Sequence, residues 1–131
     1  MLAWVPAALV MAVIFWRSAQ PGEAFVSDPL ADMVVKKVGH FVGYAALGVA
    51  LALAIDWSRA RSGNAAFLDR ATLLGAWAIA ATYAATDELH QVFVPGRSPS
   101  IVDVGIDALG AAAGIALFAS VARWWTRRRT V

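Results

Sequence analysis

Cysteine is absent from the 131 residues. Its absence excludes a disulfide framework, a thiol nucleophile and any cysteine-held zinc or iron–sulfur site. Charge is scarce as well: Asp, Glu, Lys and Arg make up 15% of the chain, where a soluble globular domain carries about 25%. A domain of this size needs polar surface to cover its core. With 60% hydrophobic residues and a mean hydropathy of +0.65, this chain has little to offer water, and its composition points to lipid as the solvent.

Four apolar runs carry that hydrophobicity: Leu2 to Trp16, Val38 to Ile55, Ala71 to Ala85 and Ala108 to Ala122. A membrane helix needs about 20 residues and at least roughly 17, so only the second run is long enough unaided. Extending the third through Thr86, Asp87 and Glu88, and starting the fourth near Ile101, gives adequate lengths whose ends carry carboxylates. A soluble bundle is the alternative, but ALGVALALAI and ALGAAAGIALFA offer water no polar face. The expected fold is all-α: a four-helix integral membrane bundle with helices near 2–18, 37–56, 69–91 and 100–123, forming one domain over 1–131. No Lys or Arg precedes the first apolar run, so it reads as a retained helix rather than a signal peptide.

Between the runs, Arg17 to Lys37 holds two prolines, a glycine and acids and reads as a loop with one short amphipathic turn. Asp56 to Arg70 reads as a second polar loop, and Pro95-Gly96 with Pro99 as a turn between the last two helices. With four spans both termini share one side. That side holds Arg59, Arg61, Arg70, Arg123, Arg127, Arg128 and Arg129, against Arg17, Lys36, Lys37 and Arg97 on the other. The excess places both termini of a multi-pass membrane protein in the cytoplasm. RWWTRRR at the C-terminus then reads as an interfacial anchor on anionic lipid, not as a nucleic-acid tail. Gly39-xxx-Gly43 and Gly110-xxx-Gly114 supply small-residue faces for close helix packing.

Ionisable residues inside such a bundle are functional candidates by default. Lys37, His40 and Tyr44 stand at i, i+3 and i+7 and line one face of the second helix. Asp103, Asp107, Gly110 and Gly114 do the same on the fourth. Asp107 lies roughly 9 Å below Ile101 along the axis, where facing lipid would cost on the order of 2.5 to 3.5 kcal/mol at the bilayer centre. It is therefore expected to turn inward. Glu88, Gln91 and Arg97 complete a polar mouth on the extracytoplasmic side. Two meanings fit: Arg97 and Lys37 hold an anionic group while Glu88, Asp103 and His40 exchange protons, or Arg97 pairs with Asp103 or Glu88 only to neutralise buried charge. A metal site from His40, Glu88, Asp103 and Asp107 is the weaker third, since no fixed ligand spacing marks it; no metal and no cofactor are expected. Ser100 is expected to cap the fourth helix, with Asp103 closing an acidic capping box.

KVGHFVGYAALG followed by ELHQVFVPGRSPSIVDVGIDALGAAAG resembles the VanZ-like family. The pattern is K-x-x-H-F-x-x-Y-x-x-L-G, then E-x-x-Q-x-F-x-P-x-R-x-x-x-x-x-D-x-x-x-N-x-x-G-x-x-x-G. Its polar positions fall on Lys37, His40, Tyr44, Glu88, Gln91, Arg97, Asp103 and Asp107. Two departures stand out: Lys36 where the family often has Asp, and Asp107 where it usually has Asn, which adds a charge. The resemblance implies a small multi-spanning bacterial membrane protein with an envelope role, since the name-giving member is associated with resistance to the glycopeptide teicoplanin. The expected function is binding or modifying an envelope component. Membrane lipids, a lipid-linked precursor among them, are the expected partners. His40, Glu88 and Asp103 are the catalytic candidates, with Asp103 orienting Arg97 or His40. Lys37, Tyr44, Gln91, Arg97 and Asp107 are the substrate-binding candidates. A membrane-embedded enzyme acting on a lipid-linked phosphate and a purely structural accessory protein both stay open.

Overall fold

A computed structural model describes residues 2–22, 24–63 and 67–129. These residues form four helices and no strand: α1 (Val5–Ser18, led in by a 3₁₀ turn over Leu2–Trp4), α2 (Pro29–Arg61), α3 (Arg70–Gln91) and α4 (Ile101–Arg129). They run alternately up and down, so Ser18, His40, Gln91 and Ile101 gather at one end and Arg59, Arg70 and Arg123 at the other.

The third helix matches the expected 69–91, and the first starts within its expected range. The second does not start near 37. Asp28 caps it, its carboxylate accepting the Ala31 N–H at 2.7 Å, and Pro29 occupies the first turn. Proline is well suited to that position, because its fixed φ is helical and its missing N–H would have no partner there anyway. What reads in the sequence as a loop breaker is a helix start. The Asp32–Lys36 pair at 2.7 Å holds the added turns. The same helix also overruns its expected end at 56, so residues 57–61 of the expected 56–70 loop are helical; residues 64–66 of that loop lie outside the described residues. The fourth helix continues to Arg129 instead of stopping at 123.

Two of the helices, Pro29–Arg61 and Ile101–Arg128, are long and apolar enough to cross a membrane, and each has less than half of its most apolar stretch buried in the protein. The segment Leu2–Ser18 is apolar but shorter.

The interior is made of small residues. Ala52, Ala76, Ala80, Ala84 and Ala111 are fully buried beside Tyr44, Leu47 and Leu51, whereas Leu9, Val42, Leu74, Leu109 and Leu117 are each about 60% exposed or more. The closest packing is between α2 and α4. A Cβ on Gly110 or Gly114 would overlap the carbonyl oxygens of Phe41 and Ala45, and one on Gly48 would come within 2.7 Å of the Ala111 oxygen. Glycine is needed because backbone meets backbone. The other small-residue motif works differently: Gly39 has nothing within 4 Å and Gly43 meets only Ile14 of α1. The partner of Gly110-xxx-Gly114 is the Phe41–Gly48 face.

Candidate functional site

At the His40 end, four helix termini and two loops enclose a buried polar cluster. The loops are locked together by Gly22 and Gly96. The Gly22 N–H donates to the Pro95 carbonyl at 3.1 Å. Gly96 has φ +73°, which glycine adopts freely, and a Cβ on Gly22 would overlap the Gly96 oxygen. Arg97 fixes the same junction: its Nη2 donates to the Arg17 carbonyl at 2.7 Å and its Nε to the Gln20 carbonyl at 3.1 Å. The last carbonyls of α1 have no partners within the helix, and Arg97 supplies one. Burial, with Arg17 beside it, pushes the guanidinium below its ordinary range. Arg97 makes no ion pair with Asp103 or Glu88. The expected neutralising pair is replaced by a strap between loop and helix.

The ion pairs form across α2 and α4 instead. Lys37 Nζ contacts Asp103 Oδ1, and His40 Nδ1 lies 3.3 Å from Asp107 Oδ2. Asp103 therefore orients neither Arg97 nor His40. That follows from helix geometry: residues 37 and 40 on one helix meet 103 and 107 on a parallel neighbour, nearly one turn at a time. Asp107 does turn inward, its side chain fully buried.

Glu88 is held from two directions. Its Oε1 accepts from Gln91 Nε2 at 3.2 Å, and its Oε2 accepts the Ser100 N–H at 2.9 Å. Ser100 caps α4 as expected, its Oγ accepting the Val102 N–H at 3.1 Å. The reciprocal half of the capping box comes from Glu88, a residue of α3, because Asp103 is drawn to Lys37. Gln91 Nε2 also reaches Asp87 Oδ2 at 3.1 Å, and Ser18 Oγ donates to that same oxygen at 2.6 Å. Ser18, the last residue of α1, was missed in the sequence; a hydroxyl there looks like any helix end. Tyr44 is fully buried, its ring stacked 6.4 Å from that of His40 and tilted 6.2 Å from that of Tyr83.

Two cavities flank His40. One, about 290 Å³, is polar and is lined by Lys37, Glu88, Gln91, Asp103 and Asp107. The other, about 280 Å³, lies between α1 and α2 and is mostly apolar, lined by Val13, Ile14, Val35, Gly39 and Gly43. Lys36, His40 and Arg97 border both. Phe25 covers the apolar one from the loop, with the Arg17 guanidinium 4.7 Å from its ring centre.

An interior more polar at this end than the outer surface around it, carried on two helices of membrane length, marks a membrane-associated helical protein. Within that class the chain belongs to the VanZ/LLP1 family, whose model matches residues 3–123, nearly the whole chain. No curated protein and no solved structure matches it.

Proposed function

We propose that the protein is a multi-pass protein of the bacterial inner membrane that holds an anionic envelope lipid, or a lipid-linked precursor, at its His40 end on the extracytoplasmic side. One observation carries the reading: the polar and the apolar cavity share a wall of Lys36, His40 and Arg97. A phosphate-bearing head group fits the first along its Lys36 and Arg97 wall, where ammonium and guanidinium groups favour it, and the start of its chain fits the second. All four helices cross the bilayer in this reading, which the exposed leucines and valines of the outer surface support. The excess of arginine on the Arg59 side supports cytoplasmic termini. Family membership supports a link to glycopeptide resistance, in which holding an envelope component alters what the drug can reach.

Detergent-purified protein titrated with a polyprenyl phosphate and with the matching uncharged polyprenol tests this. The expected result is binding of the phosphate at least about tenfold tighter than the alcohol, a difference of roughly 1.4 kcal/mol. Equal affinity for both would sink the head-group reading. For orientation, a cysteine placed at Ser98 is expected to react with an impermeant thiol reagent added to intact cells; labelling only after lysis would reverse the topology.

A further inference from the structure

Three carboxylates converge at the His40 end with too little positive charge to balance them. Asp87, Glu88 and Asp107 are all buried. Lys37 is engaged by Asp103, and Arg97 by backbone carbonyls. Among the described residues, His40 is the one basic side chain in hydrogen-bond contact with any of the three. A buried carboxylate without compensation is expensive, and proteins resolve it by pairing, by protonation or by a metal.

The geometry points to a metal: we propose that His40, Glu88 and Asp107 bind one divalent transition-metal ion, zinc foremost. One ligand atom from each of the three lies within 4.8 Å of the others. Asp107 supplies the second, independent observation. Its carboxylate is fully buried, and its Oδ1 has no hydrogen-bond partner among the described residues. Its other oxygen sits 3.3 Å from His40 Nδ1. That separation is long for a charge-assisted hydrogen bond, which runs about 2.7 to 2.9 Å. It equals the spacing that a tetrahedral zinc imposes on two donors bound at about 2.0 to 2.1 Å, roughly 3.3 to 3.4 Å.

The surroundings support the assignment. Gln91 and the Ser100 N–H hold the Glu88 carboxylate from behind, as outer partners hold metal ligands elsewhere. Drawing one Glu88 oxygen onto the ion would lengthen one of these two hydrogen bonds and leave the other in place. One imidazole and two carboxylates suit zinc or manganese better than magnesium, which prefers all-oxygen surroundings and retains its water. Three protein ligands beside an open cleft leave a fourth position for water or an anionic oxygen. The site does not depend on lipid binding, although a head-group phosphate in the polar cavity would lie next to that fourth position.

The test uses the full chain in detergent, stripped with a chelator and titrated with Zn²⁺ alone, with no lipid present. A single Zn²⁺ per chain is expected, with affinity falling at least roughly 100-fold in Asp107→Asn and His40→Ala. Asp69→Asn, which removes a carboxylate at the opposite end, is expected to keep the wild-type stoichiometry and affinity. Thermal melts guard against misfolding: without metal, Asp107→Asn melts at or above the wild-type temperature because it removes an unbalanced buried charge, and zinc raises the melting temperature of wild type but not of Asp107→Asn. Cobalt in place of zinc is expected to give ligand-field absorption in wild type and none in Asp107→Asn. No retained zinc in wild type, or zinc retained equally by Asp107→Asn, overturns the site. So does a metal-free Asp107→Asn that melts below wild type while zinc leaves wild type unmoved, the behaviour of a simple His40–Asp107 ion pair. Because no lipid enters the titration, its failure leaves the head-group reading standing, and the failure of lipid binding leaves the metal site standing.

Discussion

At the Arg59 end of the bundle, four charged side chains each meet an evident structural need. Arg59 pairs with Asp69 at 2.7 Å, and Asp69 caps α3 by accepting the Thr72 N–H at 2.8 Å. Leu68, with a left-handed φ of 47°, is held by Asp56 on its N–H at 2.7 Å and by Arg123 on its carbonyl at 2.9 Å. At the His40 end the count of partners runs short. Tyr44 Oη, Asp87 Oδ1, His90 Nε2 and Asp107 Oδ1 are buried without hydrogen-bond partners, while Thr72 Oγ1 is the corresponding atom toward the Arg59 end among the described residues. Unsatisfied buried polar groups cost roughly 1 to 3 kcal/mol each. An arrangement that spends stability at one end and conserves it at the other separates a place where something binds from a place where the chain is merely fastened.

The largest way to break this difference is Gly22→Ala. The added methyl has nowhere to go against the Gly96 carbonyl, so the two loops must part, at a cost of about 3 kcal/mol, the upper range for overpacking. Thermal denaturation is expected to show the loss, with protease sensitivity appearing between residues 19 and 28 and none gained at the Arg59 end. Arg97→Lys comes next. An ammonium cannot reproduce the two-pronged grip on the Arg17 and Gln20 carbonyls, and a drop of about 2 kcal/mol is expected, in the range for hydrogen bonds from charged donors.

How much of this was legible in the sequence differs between the ends in the same way. Helix α3 was legible because the run Ala71 to Ala85, extended through Thr86, Asp87 and Glu88, is long enough to define one helix. The start of α2 was not: Pro29 has a loop meaning and a helix-start meaning, and only the Asp28 cap decides between them. Inward rotation of Asp107 followed from the cost of facing lipid. The partner of Asp103 did not follow, because it depends on how α2 and α4 slide along their glycine seam, and those of Arg97 did not, because they are carbonyls at the end of α1 brought near by the loop junction; no periodicity within one helix encodes either. Ser18 and Asp87 meet across 69 positions of chain, a proximity that only the up-and-down topology creates.

Smaller changes sharpen the comparison. Gly39→Ala adds a methyl into open space on α2 and is expected to raise stability by roughly 0.5 to 1 kcal/mol, the helix preference of alanine over glycine, unlike the same change at Gly22. The smallest effect is a pH limb at the Arg59 end. The Thr72 N–H, with the Arg59 charge adding to it, holds the Asp69 carboxyl below its usual range. A lowered folded-state pKa gives stability that is complete above the ordinary carboxylate value near 3.8 and disappears as pH falls through the folded value. Acid titration of wild type against Asp69→Asn is expected to show a shallower acid limb in the variant.

The central claim is that the His40 end binds and the Arg59 end fastens. Its most direct test is the affinity for a polyprenyl phosphate measured in parallel for Lys36→Gln and Arg59→Gln, each removing one positive charge from one end. The account predicts weaker binding, by about tenfold, or roughly 1.4 kcal/mol, in Lys36→Gln and wild-type affinity in Arg59→Gln. Equal losses in both, or a loss confined to Arg59→Gln, would contradict it.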